Sequence, residues 1–142
     1  MELKLYPDPI LKQKCEPVKK VTPELKALAE EMYSFMRKNN GAGLAANQIG
    51  QTIRLLVIDD NGPVYMFNPK ILQGKGRVCD TEECLSFPGE KKQVPRNIEI
   101  AVQYRDINNK NTFAKYSGFL SRVIQHEIDH LNGITFDEKE IK

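Results

Sequence analysis

The sequence predicts an α+β domain in which mixed or antiparallel strands pack on a C-terminal helix, with a second long helix near the N-terminus. Three observations predict it. Apolar residues recur at helical spacing near each end, within residues 22–39 and 117–132. Between those segments the period changes to continuous apolar runs and strict alternations, which suit strands. Helices kept to the two ends of a strand-rich middle indicate α+β rather than repeated βαβ units. The C-terminal helical segment also contains His126-Glu127-Ile128-Asp129-His130, an H-E-x-x-H motif.

The 142 residues fit one domain, 1–142, large enough to bury a core unaided. No repeat, low-complexity tract or linker divides it. Asp8-Pro9 supplies an N-cap and a first-turn proline for a short helix carrying Ile10 and Leu11. Thr22-Pro23-Glu24 strengthens the same signal, and Leu25, Leu28, Ala29, Met32, Phe35 and Met36 follow at helical spacing until Asn39-Asn40-Gly41. Ile53-Arg54-Leu55-Leu56-Val57-Ile58 is a nearly unbroken apolar run, read as a strand buried on both faces. Asp60-Asn61-Gly62-Pro63 makes a hairpin-like connection to Val64-Tyr65-Met66-Phe67. Cys79 and Cys84 fall in a loop-like segment. Ile98, Ile100, Val102 and Tyr104 then alternate with polar residues as in a half-buried strand, and a turn at 108–111 returns a partner at 112–116. In the last helix, 117–132, Phe119, Leu120, Val123, Ile124 and Leu131 form the apolar stripe and Gly133 is the C′ residue.

Composition narrows the class. A net charge of +2 is too small to argue for nucleic acid or an anionic membrane. No apolar run approaches the roughly 20 residues of a membrane span, and Met1 to Pro7 lack the apolar stretch of a signal peptide. The expected location is the cytoplasm. Cys15, Cys79 and Cys84 cannot all pair within one chain; in a reducing compartment they are thiols, and one is a candidate metal ligand.

His126 and His130 are the only histidines in the chain. Four residues apart, they lie one above the other on a helix and can grip one metal ion. Glu127 is placed to act as general base toward a water at that metal. The plain alternative is a surface helix with two chance histidines. A hydrolytic metal site needs a third protein ligand and an open position. Only Asp137, Glu138 and Glu140 lie downstream, so the third ligand is expected upstream, with Cys79 and Cys84 as candidates. If both bind, the result is a closed Cys₂His₂ zinc site without catalysis. If Cys79 does not bind, it is a core thiol. Spacing leaves both open, although a structural site gives no reason for Glu127 beside the metal. Gly41-Ala42-Gly43-Leu44-Ala45-Ala46-Asn47-Gln48 has the small residues that let backbone approach a ligand. It could equally be a helix cap and turn. It is not a phosphate loop, because no Gly-Lys-Ser/Thr ends it. Gln48 is a neutral donor of the kind that holds an oxyanion.

Together these segments resemble the peptide deformylase family, whose motifs G-x-G-L-A-A-x-Q, E-G-C-L-S and Q-H-E-x-D-H-L-x-G occur in that order. The first is complete at 41–48 and the third at 125–133; the second reads Glu82-Glu83-Cys84-Leu85-Ser86, with Glu83 where the family has glycine. Pro7-Asp8-Pro9 and Val94-Pro95-Arg96 also match. The resemblance implies Cys84, His126 and His130 as metal ligands and Glu127 as general acid and base. It implies that the Gln48 side-chain amide and the Leu85 backbone N–H stabilise charge on a formyl oxygen. Backbone at Ala42 and Gly43 would pair with the substrate main chain as an added strand does. Val123 and Phe119 would line a methionine pocket, and Arg96 would pair with Glu82 to steady the cysteine loop.

The implied activity is metal-dependent hydrolysis of the N-terminal formyl group of formyl-methionyl nascent polypeptides, releasing formate. The implied cofactor is one divalent ion, Fe²⁺ natively, with zinc, nickel or cobalt acceptable to the same ligands. Nascent chains are the expected partners. A transient ribosome contact is compatible with this but unsupported by the residues, and neither direct nucleic-acid binding nor a membrane is expected. If the family glycine has a positive φ, Glu83 would be strained by roughly 1–3 kcal/mol and would add negative charge near the metal. A deformylase-like protein with weak or altered activity is therefore the alternative, with the structural Cys₂His₂ protein behind it.

Overall fold

Both N-terminal start signals act through their side chains. In the computed structural model, which describes residues 1–141, Asp8 accepts the Ile10 N–H at 3.0 Å and opens a 3-10 turn at Pro9–Lys12. Thr22 accepts the Leu25 N–H at 3.2 Å and caps α1 (Pro23–Lys38). α1 buries Ala29, Met32 and Met36. Asn40 rather than Gly41 takes the left-handed turn that ends it, with φ 58°, and the Gly41 N–H closes onto the Met36 carbonyl at 2.9 Å.

Seven strands follow: β1 (Gly43–Ala45), β2 (Leu55–Asp59), β3 (Pro63–Lys75), β4 (Val78–Glu83), β5 (Lys91–Arg96), β6 (Glu99–Arg105) and β7 (Asn111–Ser117). They form an antiparallel five-stranded sheet in the order β1-β2-β3-β6-β7 and a separate antiparallel hairpin, β4-β5. The apolar run of β2 has a direct cause. Leu55 and Val57 pack with Ala29, Met32 and Met36 of α1, whereas Leu56 and Ile58 pack with Val123, Ile124, Ile128 and Leu131 of the last helix, α2 (Gly118–Leu131). A strand covered on both faces has no polar side to display.

Several elements differ from the sequence reading. β2 begins at Leu55 because Ile53 instead makes a parallel bridge with Glu16. β3 continues past Phe67 to Lys75 through irregular register, with Asn68 at φ 53° leaving the ladder to bind the Val18 N–H and carbonyl, each at 2.7 Å. Cys79 and Cys84 do not share a loop: Cys79 lies within β4, and Cys84 immediately follows it. Ile98 is exposed and precedes β6, so only Ile100, Val102 and Tyr104 of that alternation reach the core. Phe119 is 67% exposed and does not belong to the apolar stripe of α2.

The rest of α2 is buried nearly all round, from Ser121 to Ile128 and again at His130 and Leu131. The buried set includes Arg122, Gln125, His126, Glu127 and His130, polar residues that a core accepts only with partners. Gly133, with φ 73°, ends the helix as expected, its N–H bonding the His130 carbonyl at 2.9 Å while Ile134 N–H bonds that of Asp129 at 2.8 Å. Among the described residues, no helix is long and apolar enough to cross a membrane.

Candidate functional site

One helical turn of α2 and the end of β4 bring together Cys84, His126 and His130, all buried, with their ligand atoms within 4.8 Å of one another. Cys84 Sγ is 3.3 Å from His130 Nε2, which is 3.2 Å from His126 Nε2. Atoms held about 2.0–2.3 Å from one ion at tetrahedral angles stand roughly 3.3–3.6 Å apart. The donor set therefore fits a single divalent cation in both chemistry and spacing. Cys79 is exposed and lies outside the cluster, and Asp137, Glu138 and Glu140 are outside it too. A closed Cys₂His₂ site lacks its fourth ligand here. Cys15 is a core thiol, pushed up to about 11 by burial despite the nearby Arg54 charge.

Glu82 organises this centre. Strand alternation turns it inward from β4, where it receives Arg96 Nε at 2.9 Å, Arg96 Nη2 at 3.0 Å and Arg122 Nη1 at 2.5 Å. His126 Nδ1 lies 2.8 Å from Glu82 Oε1, which leaves Nε2 of that ring facing Cys84 and His130. Burial alone would raise the Glu82 carboxyl; hydrogen bonds from His126 and Arg96, with the Arg96 charge, hold it down at about 2. Burial disfavours charge on His126 too, yet bonds to Cys84 and Glu82 and the Glu127 charge raise it to about 10. His130 is driven well below the ordinary histidine value by burial and by the charge on His126. The groups around His126 thus favour positive charge on that ring, whereas those around His130 disfavour it.

Sequence reading paired Arg96 with Glu82 but missed Arg122. This residue stands one turn before His126 and also donates to the Val94 carbonyl at 2.7 Å and the Val78 carbonyl at 2.8 Å. Asp129, inside the motif, receives Arg96 Nη1 at 2.5 Å. Gln125 fastens α2 to Asn97, and Asn47 donates to the His130 carbonyl at 2.6 Å. An Arg one turn before H-E-x-x-H, on the same helical face as His126, was the available signal for the second guanidinium.

Glu127 is buried beside the ligands. Burial first, and the Glu82 charge, raise its carboxyl to about 7 against the lowering effect of His126. Its Oε1 has no hydrogen-bond partner among the described residues. Gln48 sits in a 3-10 turn, Ala46–Ile49, directly after β1. Its Oε1 accepts the Ala45 N–H at 2.9 Å, which aims Nε2 toward Ser86 Oγ at 3.1 Å and Cys84 Sγ at 3.8 Å. Gly43 lets β1 approach α2: a β-carbon there would fall 2.7 Å from Val123 Cγ1 and 2.9 Å from Glu127 Oε2.

These groups line a cleft of about 560 Å³, within the range of small-ligand pockets. Ala42 and Gly43 form part of one wall, Glu82 to Leu85 part of another, and Val123, His126 and Glu127 the floor, with Phe119 at the mouth. β1 is an edge strand, paired with β2 on one side only.

A family model described as polypeptide deformylase matches residues 1–141. The chain is 39% identical to a peptide deformylase of Dictyoglomus turgidum over 100% of this chain and 94% of that one. It is 44% identical to one from a Picosynechococcus species, covering 98% of this chain and 78% of the relative. The crystal structure of the Thermotoga maritima peptide deformylase superposes with a TM-score of 0.96 at 35% identity, covering 99% of this chain and 97% of that one. The Synechococcus elongatus deformylase in complex with actinonin gives 0.97 at 35% identity, over 100% and 79% of the two chains. The chain belongs to the peptide deformylase family. It is a metal-dependent hydrolase acting on the N-terminal formyl group of nascent polypeptides.

Glu83 is compatible with the fold of a deformylase. It has no positive φ, lies in the β4 ladder opposite Lys91, and points its carboxylate outward, 3.6 Å from Lys91 Nζ. The backbone strain expected of a glutamate at this motif position is absent, because the position is extended strand that any residue adopts.

Proposed function

We propose that residues 1–142 form one catalytic domain in which Cys84, His126 and His130 hold one divalent ion, natively Fe²⁺, and Glu127 handles the protons of formyl hydrolysis. The observation that carries this reading is the convergence of those three ligand atoms beside the buried Glu127 carboxylate and the Gln48 amide. A cation bound there supplies Lewis acidity and makes a water nucleophilic near neutral pH. Glu127, raised to about 7 by burial, suits proton transfer at that pH and has a free oxygen to receive the proton.

As water attacks the formyl carbon, the formyl oxygen gains charge. The Gln48 Nε2–H and the Leu85 N–H are the donors we assign to it, each worth roughly 3–4 kcal/mol. The backbone N–H of Leu85 makes no backbone hydrogen bond among the described residues. Glu127 passes the proton to the departing methionine amine, and formate leaves. The free edge of β1 at Ala42 and Gly43 is suited to hold the substrate main chain as an added strand. Val123, with Phe119 at the rim, lines the space for the methionine side chain. Glu82, Arg96 and Arg122 fix the ring of His126. We place the enzyme in the cytoplasm, where nascent chains emerge, with a transient ribosome contact and no direct binding of nucleic acid.

The test is formate release from a formyl-Met tripeptide, assayed anaerobically with Fe²⁺ beside an acetyl-Met control. Release from the formyl peptide alone is expected. The Glu127→Ala variant should keep one metal ion per chain and lose at least 10²-fold in kcat. Unchanged turnover by that variant would exclude Glu127 from the reaction.

A further inference from the structure

The active-site cleft has an uneven mouth. Its inner end, at Cys84, His126 and Glu127, is buried, and its outer wall carries Glu83, Glu90 and Lys91. On the facing wall stand Asn40, Gly41, Ala42 and Gly43, none of them charged. A peptide with its formyl group at the inner end must lead its following residues out between these walls. Strand alternation in β4 sends Glu82 inward to the arginines and Glu83 outward to this exit. The Glu83 side chain is 70% exposed, and so nearly is its partner Lys91, at 69%. Their 3.6 Å pair is a loose surface contact that costs little to exchange. Glu90 is occupied by Lys92 at 3.4 Å, and Lys92 is also 3.7 Å from Glu140, so the charges behind this wall are already paired.

We propose that Glu83 makes this enzyme favour nascent chains with a lysine or arginine in the first two positions after methionine, the substrate cation taking the place of Lys91 beside the Glu83 carboxylate. Glycine at this motif position offers no such group, so the preference belongs to the substitution. An exchanged surface ion pair is worth about a two- to fivefold change in specificity. The effect must weaken as salt screens it, since the Debye length falls from about 30 Å at 0.01 M to about 3 Å at 1 M.

The inference rests on the deformylase reading, and the experiment separates the two. Formyl-Met-Lys-Ala and formyl-Met-Ala-Lys, as C-terminal amides, are compared with their glutamine counterparts on the metal-loaded enzyme. The ratio of kcat/KM values within one preparation cancels metal content and folded fraction. At roughly 10 mM ionic strength the wild type should prefer at least one lysine peptide by about two- to fivefold, and lose the preference near 1 M salt. Glu83→Gln should bring the ratio to one, and Lys91→Gln should raise it. A wild-type ratio of one, a ratio that Glu83→Gln leaves intact, or a fall in Lys91→Gln would overturn the proposal. No turnover of the glutamine peptides would instead count against the deformylase reading itself.

Discussion

At the scale of single residues, the Glu82 carboxylate bears the greatest demand in the site. Two guanidinium groups and one imidazole converge on a side chain that is 4% exposed. Arg96 balances Asp129 as well, and Arg122 also ties down two backbone carbonyls of the β4-β5 hairpin. Glutamine in place of Glu82 would leave two buried cations short of an anion, a defect of about 3–5 kcal/mol. It would also free the His126 ring, for which a 10–100-fold loss of metal affinity is the usual scale. Glu82→Gln is therefore expected to lower the melting temperature of metal-free protein and weaken Zn²⁺ or Co²⁺ binding in titration. The pH dependence has a definite sign. The folded carboxyl is held at about 2 against a usual 4.5, so its contribution is complete above about pH 4.5 and lost as pH falls toward 2. The shift corresponds to about 3 kcal/mol. Acid unfolding followed by circular dichroism should show that loss in the wild type and a shallower slope for Glu82→Gln in the same window.

At the scale of elements, legibility followed burial. β2 was readable because helices cover both its faces, and α2 because its apolar stripe ends on a glycine with φ 73°. The β4-β5 hairpin was not readable: among its strand residues only Glu82, Val94 and Arg96 are buried, and two of those are charged. Hydropathy cannot signal a strand whose inward side chains are an ion pair. The residues proposed as ligands were visible one by one, but choosing the third needed family resemblance, since spacing did not choose between Cys79 and Cys84. Phe119 misled because an apolar side chain at helical spacing looks the same whether it faces a core or a cleft mouth. Gly133 yields the prediction at this scale. A β-carbon there would strike the Lys12 carbonyl oxygen, and the φ of 73° disfavours any other residue. Gly133→Ala should destabilise the protein by about 1–3 kcal/mol, a fall of several degrees in Tm by calorimetry. Because the Gly133 N–H holds the His130 carbonyl, metal affinity should fall with it. Unchanged stability would mean that the Lys12–Gln13 segment moves aside freely.

At the scale of the whole molecule, the centre joins parts with unequal support. α1, β2 and α2 share two extensive apolar clusters, whereas the hairpin region has only the small apolar cluster of Cys84, Phe87, Val94 and Phe136. It depends on the polar network of Glu82, Arg96 and Arg122 for the rest of its attachment to α2. The proposed ligands divide along that line, with Cys84 on the hairpin side and both histidines on α2. A cation held by these three residues would therefore clamp the weakly packed part onto the well-packed part, and its binding free energy would add to stability by mass action, about 2.7 kcal/mol at a hundredfold excess over Kd. Removing it with a chelator should act locally before it acts globally. Native-state hydrogen exchange is expected to lose protection first across residues 78–96, while α1 and β2 keep theirs. Cys84→Ser should reproduce that pattern without chelator, because it removes the one direct ligand that the hairpin side offers to the proposed ion. Cys79→Ser should not, since Cys79 is exposed and outside the cluster. Uniform loss of protection through α1 and β2 would contradict a local clamp and make the cation a support of the entire core.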